Sequence, residues 1–198
     1  MRRSNKSKVI ILIGLLALII CGITKVDAQC LSGNCTDGSG TFKFNDAVYT
    51  GMFVAGKLHG RGECRYNNGD VYVGDYLNGE RIGKGTFYWQ IGDVYSGDFI
   101  NGLRSGIGKY RWANGNMFEG NFLDNEIVGF GTMYYFNGLI YTGSFYKSDR
   151  SGYGILKYTD GSAYMGMWKN GVRNGIGTII SKNGDQATHN WNMDNIAD

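Results

Sequence analysis

The chain has 198 residues with 20 basic and 17 acidic side chains, a formal net charge of +3, and only two histidines. Five of those bases (Arg2, Arg3, Lys6, Lys8, Lys25) and one acid (Asp27) fall in the first 28 residues, which leaves 15 bases against 16 acids beyond them. Residues 29–198 therefore lack the cationic surplus that nucleic-acid binding or polybasic attraction to an anionic membrane requires.

The N-terminal 28 residues differ in kind from the rest. Four basic residues precede an apolar run from Val9 to Ile20, and Val26-Asp27-Ala28 then places small or neutral residues at a cleavage site. This is the order of a secretory signal, with cleavage expected after Ala28. Twelve residues are short against the roughly 20 needed to span a bilayer core, so an uncleaved signal-anchor is the second reading. A lipoprotein reading at Cys21 is disfavoured by the bulky Ile20 before it. The expected location is outside the cytoplasm, either released or held at the membrane by the leader.

Residues 29–48 form an N-terminal cap. Cys30 and Cys35 are close together, and an oxidising compartment would join them as a disulfide. Gly38-x-Gly40-x-Phe42-x-Phe44 then copies the second half of the unit that follows. A zinc site built from Cys30, Cys35, His59 and Cys64 matches no strong ligand spacing.

From residue 49 to 186 one 23-residue unit repeats six times without insertion or deletion. Tyr49-x-Gly51-x-Phe53 returns as Tyr72-x-Gly74-x-Tyr76, and so on to Tyr164-x-Gly166-x-Trp168. A Gly-x-Gly follows each time, from Gly60/Gly62 to Gly175/Gly177, and a turn glycine closes each unit, from Gly69 to Gly184. Such a period marks an array of one small supersecondary element, each copy burying its apolar side against its neighbours. Within a unit, Tyr49, Gly51 and Phe53 alternate with Thr50, Met52 and Val54, and Gly60, Gly62 and Cys64 alternate with Arg61 and Glu63. Period-2 alternation predicts two strands, a β-hairpin, with Asn68-Gly69 as a tight turn into the next unit.

The columns also predict which face is inward. Tyr49, Phe53 and Tyr66 share a parity with Cys64 and with the glycines. Glycine weakens a strand unless its empty space is used, so the glycines are read as slots for rings from the adjoining strand. A phosphate-cradling role for Gly-x-Gly is the weaker alternative, since no Gly-Lys-Ser/Thr or helix follows it. After the last unit, Ala187-x-His189-x-Trp191 repeats the frame with histidine in place of glycine, which reads as a capping strand followed by a tail to residue 198. About 14 strands at ~4.8 Å each predict a curled, open ribbon about 65 Å long.

These motifs resemble MORN (membrane occupation and recognition nexus) repeats. Tyr49-Thr-Gly51-Met-Phe53-Val-Ala-Gly56-Lys-Leu-His59-Gly60-Arg-Gly62 is a nearly complete copy of the family pattern. The departures are Asn125 and Ser148 at the loop glycine, and Ile82, Ser105, Val128, Ser151 and Asn174 at the histidine. The resemblance implies an all-β fold, a single elongated antiparallel sheet of stacked hairpins, that serves as a scaffold or binding surface. The cysteine pair ahead of the first repeat resembles exported envelope members. Kinase or methyltransferase activity, carried by domains that follow such arrays elsewhere, is not expected of these 198 residues.

The function expected is a non-catalytic interaction scaffold, with no cofactor and with a protein partner or a second copy as ligand. The residues that single themselves out are apolar side chains of outward parity: Ile107, Phe130, Tyr153 and Ile176 between the paired glycines, and Ile100, Leu123 and Tyr146 ahead of the hairpin loops. A contiguous apolar stripe on an outward face marks an interaction patch, unless the sheet curls and covers it. The alternative is a membrane-lipid or glycan module, in which Tyr66, Trp89, Trp112, Tyr135 and Tyr158 would stack on sugars. An enzyme is not expected: His59, His189, Cys64 and the Asp124-Asn125-Glu126 loop form no acid–base or nucleophile constellation.

Overall fold

A computed structural model describes residues 28–197. The expected leader thus lies outside the described residues, apart from Ala28. The described chain is one open antiparallel sheet of sixteen strands, each paired with its neighbours in sequence order, and contains no helix. Two strands exceed the fourteen expected. Gln29–Gly33 adds an edge against Gly38–Lys43, and the Cys30–Cys35 disulfide ties it across their turn. At the other end Asn195–Ile196 folds back on Gln186–Asn192, so the expected tail begins a further hairpin.

The two kinds of turn are the reverse of the sequence expectation. Ala47–Val54 and Lys57–Tyr66 are joined by Ala55 and Gly56, both at positive φ (49° and 71°). This two-residue loop is the one whose backbone matches strand twist. Asn68-Gly69 instead belongs to a three-residue loop: Gly69 N–H donates to the Tyr66 carbonyl and only the glycine takes positive φ. Asn125 (φ 73°) and Ser148 (φ 68°) do occupy the loop-glycine position, and each uses its side chain there. Asn125 Oδ1 accepts from the Arg104 backbone N–H and Nε, and Ser148 Oγ accepts from the Ile127 N–H.

The glycines divide into two roles where one was expected. Gly51 faces Gly62 across the hairpin, and the Tyr49 ring lies over both. The same geometry in the third repeat would put a Cβ on Gly97 only 2.5 Å from both the Gly108 Cα and the Tyr95 hydroxyl oxygen. These are slots. Gly60 is different: a Cβ there would meet nothing nearer than 3.7 Å, but its φ is 57°. The register jumps from Gly51–Gly62 to Met52–His59, leaving Gly60 and Arg61 as a bulge in that ladder. Bulges bend the strand and raise its twist. The bulge recurs in every repeat, so each hairpin bends at its Gly-x-Gly.

The bend closes the ring face on itself. Tyr49, Tyr72, Tyr95, Phe118, Tyr141 and Tyr164 are fully buried. Each tyrosine hydroxyl donates to the carbonyl three residues on, as in Tyr95 to Asp98 at 2.9 Å, beside the break in register. The ring after the slot packs edge-on against the slot ring of the preceding repeat: Tyr72–Phe99 at 5.1 Å, Tyr95–Phe122 at 5.0 Å, Tyr141–Trp168 at 5.3 Å. Such pairs contribute roughly 0.5–1.5 kcal/mol each beyond area burial. The ladder runs unbroken from Phe53 to Trp191, which makes the array one continuous core.

Candidate functional site

The outward face is reached by subtraction: it is what the rings do not use. All seven residues singled out in the sequence stand on it, exposed over 54–68 % of their surface. They form two rows, not one patch. Ile107, Phe130, Tyr153 and Ile176 run along the bend, each the x of a Gly-x-Gly. Ile100, Leu123 and Tyr146 run along the hairpin tips on the far side of the bulge, where exposed Val54 and Leu77 extend their row toward the N-terminus. Met167, opposite Tyr153 in the register, joins the bend row.

The face changes character halfway along. In the first half it carries ion pairs: Glu63 with Arg65, Lys84 with Asp98 at 2.6 Å, and Lys109 with Glu119 at 2.7 Å. Asp98 also accepts from the Ile107 backbone N–H at 2.9 Å. An open groove of about 570 Å³ lies here, floored by the glycine backbone of Gly85, Gly97, Gly108 and Gly120 and lined by Arg61, Lys84 and Ile107. In the second half the facing pairs at the bend are Phe130–Ser144, Tyr153–Met167 and Ile176–Asn190. The next row holds Thr132–Thr142, Ile155–Met165 and Thr178–Thr188. Neither row has a charge.

One column escaped the sequence reading. Arg81, Arg104, Arg150 and Arg173 recur at the repeat period on the ring side of the bend, with Leu58 and Ile127 completing the column. Their guanidinium groups stack on rings: Arg104 over Trp89, Tyr95, Tyr110 and Phe122, Arg150 over Trp168 at 4.0 Å, Arg173 over Trp191 at 3.9 Å. Burial pulls the Arg104 guanidinium below its ordinary value. These arginines cover the ring core, and three of them bond the next loop: Arg104 donates to the Asn125 carbonyl, Arg150 to that of Gly171 and Arg173 to that of Asp194. Their 23-residue spacing was the available signal.

The other residues considered for chemistry do not converge. Cys64 is fully buried among the rings, while His59 pairs with Met52 on the opposite parity. Among the described residues no three His, Cys, Asp or Glu side chains gather as a metal-binding group. The Asp124-Asn125 pair is a hairpin loop at positive φ that receives Arg104. Tyr66, Trp89, Trp112, Tyr135 and Tyr158 are half-buried and packed on the core, so their ring faces are largely occupied.

The MORN repeat profile matches residues 49–71, 72–94, 95–117, 118–140, 141–163 and 164–186. The chain belongs to the MORN repeat family. A comparison with curated proteins returns no match for this MORN chain. Among solved structures, the Drosophila melanogaster SAS-4 (dCPAP) TCP domain, in complex with a proline-rich motif of Ana2 (dSTIL), is similar at a TM-score of 0.52 and 16 % identity. That likeness covers 83 % of this chain and 90 % of the SAS-4 domain. The TCP10 domain of Danio rerio CPAP is similar at a TM-score of 0.44 and 10 % identity, over 77 % of this chain and 78 % of that one.

Proposed function

We propose that this MORN array is a non-catalytic protein-binding scaffold that takes a segment of its partner on the outward face. The observation that carries this is the uncharged, exposed row Ile107–Phe130–Tyr153–Ile176. The ring core is complete without it. Four successive repeats nevertheless hold bulky apolar side chains in water, at positions where the first repeats carry Arg61 and Lys84. Aromatic residues held rigidly at a surface are favoured anchors for protein partners. The SAS-4 domain with its bound proline-rich motif supports the reading by analogy of fold alone.

We place the scaffold outside the cytoplasm, on the basic, apolar, small-residue order of the first 28 residues. The Cys30–Cys35 disulfide, which an oxidising compartment would maintain, supports this. Cell fractionation with thiol alkylation before lysis tests it: a cytoplasmic chain with both thiols labelled would overturn the placement.

The scaffold reading is tested by co-purification from the native envelope with tagged wild type and with Phe130→Asp plus Tyr153→Asp. The expected result is a stoichiometric partner retained by wild type and lost by the variant, both equally folded. Sedimentation of the same pair shows whether that partner is a second copy. A partner retained equally by both proteins would remove the outward row from the site.

A further inference from the structure

The bend row poses a geometric question that the proposed scaffold role leaves open: what shape of segment can meet it repeatedly? Each knob is two strands from the next, or ~9.6 Å at the usual ~4.8 Å strand spacing. A polyproline II helix advances ~3.1 Å per residue with three residues per turn, so the same face returns every ~9.3 Å. An α-helix covers ~9.6 Å in ~6.4 residues, which at 3.6 residues per turn leaves it ~80° short of a full turn. An extended strand covers it in about three residues, an odd number, which turns the side chain to the other face.

Hydrogen bonding points the same way. Every strand under the row is paired on both sides, so its backbone has no ladder to offer a bound strand. Edge pairing is confined to the two ends: Gln29–Gly33 at one, and at the other Asn195–Ile196 with the part of Gln186–Asn192 that this short strand leaves uncovered. A segment laid on this face must leave its own backbone groups to water, and proline has no N–H to lose. Charge narrows it further. The two rows from Phe130 onward hold no charge, so a charged residue pressed there would shed water without gaining a partner. The Lys84–Asp98 and Lys109–Glu119 pairs mark where a charged flank can run.

We propose that the row from Ile107 to Ile176 receives an uncharged, proline-rich segment in polyproline II form, aligned with the array and read at one residue in three. Three steps of ~9.6 Å correspond to about nine or ten residues. Phe130 and Tyr153 supply the aromatic faces that proline rings stack on. The proposal rests on the array being a protein-binding scaffold, and it specifies the ligand of that site.

The test uses the full chain with labelled decaproline, read by fluorescence anisotropy, and in parallel a random dodecapeptide display library. Decaproline is expected to bind, with affinity at least tenfold weaker for Phe130→Asp plus Tyr153→Asp. Phe136→Asp, in an exposed turn off the row, should change it less than twofold. Selected peptides should be uncharged with proline at a three-residue spacing. If the double variant melts early, Phe130→Ser plus Tyr153→Ser replaces it with the same expected loss. No decaproline binding, or equal binding by wild type and variant, overturns the proposal. Selected peptides that lack the three-residue spacing yet depend on Phe130 and Tyr153 overturn it while leaving the scaffold intact. Peptides that bind both proteins equally defeat both readings.

Discussion

The ring face and the outward face are made by the same strands, yet they follow different rules. On the ring face every repeat spends its positions alike: slot glycine, ring, glycine, ring, with an arginine over the rings in four repeats. Even Phe118, which lacks the hydroxyl of its five counterparts, keeps the edge-on contacts to Phe122 and Phe145. On the outward face the repeats share only their alternation. Charged pairs in the first half give way to an uncharged apolar row in the second. Uniformity along an array is what packing demands, because each unit must fit identical neighbours. A change along the array has no such cause, and under the proposed scaffold role it marks where a partner is expected to sit.

The largest effect should come from filling a slot. Gly97→Ala places a Cβ against the Gly108 Cα as well as the Tyr95 ring, and backbone cannot step aside as a flexible side chain can. A loss of about 3 kcal/mol or more is expected, the upper end for overpacking. Gly60→Ala meets open space and violates only a positive φ, at a cost of about 1–2 kcal/mol. Urea unfolding of the two variants measures the difference. Equal losses would mean that the paired glycines serve the bend and not the rings.

Much of this ring face was legible in the sequence, because parity and a fixed period are local properties of strands. Tyr49, Cys64 and Trp191 are buried as their columns required. What escaped depends on geometry that letters do not carry. Asn-Gly occurs in both turns, at 68–69 and at 78–79, and only loop length tells which one puts both residues at positive φ. The arginine column looks polar in isolation, and its stacking exists only once the bend brings rings beneath it. The same parity placed the seven outward residues in water, but the bulge that splits them into two rows had no mark beyond the first glycine of each Gly-x-Gly.

A smaller and broader effect follows from the buried hydroxyls. Burial pushes Tyr49, Tyr95 and Tyr141 up to about 12, and pushes Tyr72 higher still. In the unfolded chain these phenols titrate near 10. Their contribution is therefore complete below pH 10 and falls as pH rises toward 12, since only the unfolded chain loses its protons there. Urea midpoints should hold steady to pH 10 and then decline, with tyrosinate absorbance rising as the chain unfolds. Tyr95→Phe should lose about 1 kcal/mol at neutral pH with its bond to the Asp98 carbonyl, and should flatten the alkaline decline. A midpoint at pH 11.5 equal to that at pH 9 would contradict the burial of the ring face.

The smallest effect on stability belongs to the outward row, and that is where the two faces part most sharply. Phe130→Thr with Tyr153→Thr removes two large exposed side chains while keeping residues that favour strands, as Thr132 and Thr142 already do on this face. Both side chains are exposed and stand outside the buried core, so each change should stay within about 0.5 kcal/mol by urea unfolding. Apolar rings exposed on a surface that contributes so little to the fold lower solubility, a cost that the partner contact of the proposed scaffold would offset. The double variant should therefore remain soluble at higher concentration than wild type while melting at the same temperature. A melting temperature lowered by more than 5 °C would assign these rings to the sheet, and the contrast between the faces would lose its meaning.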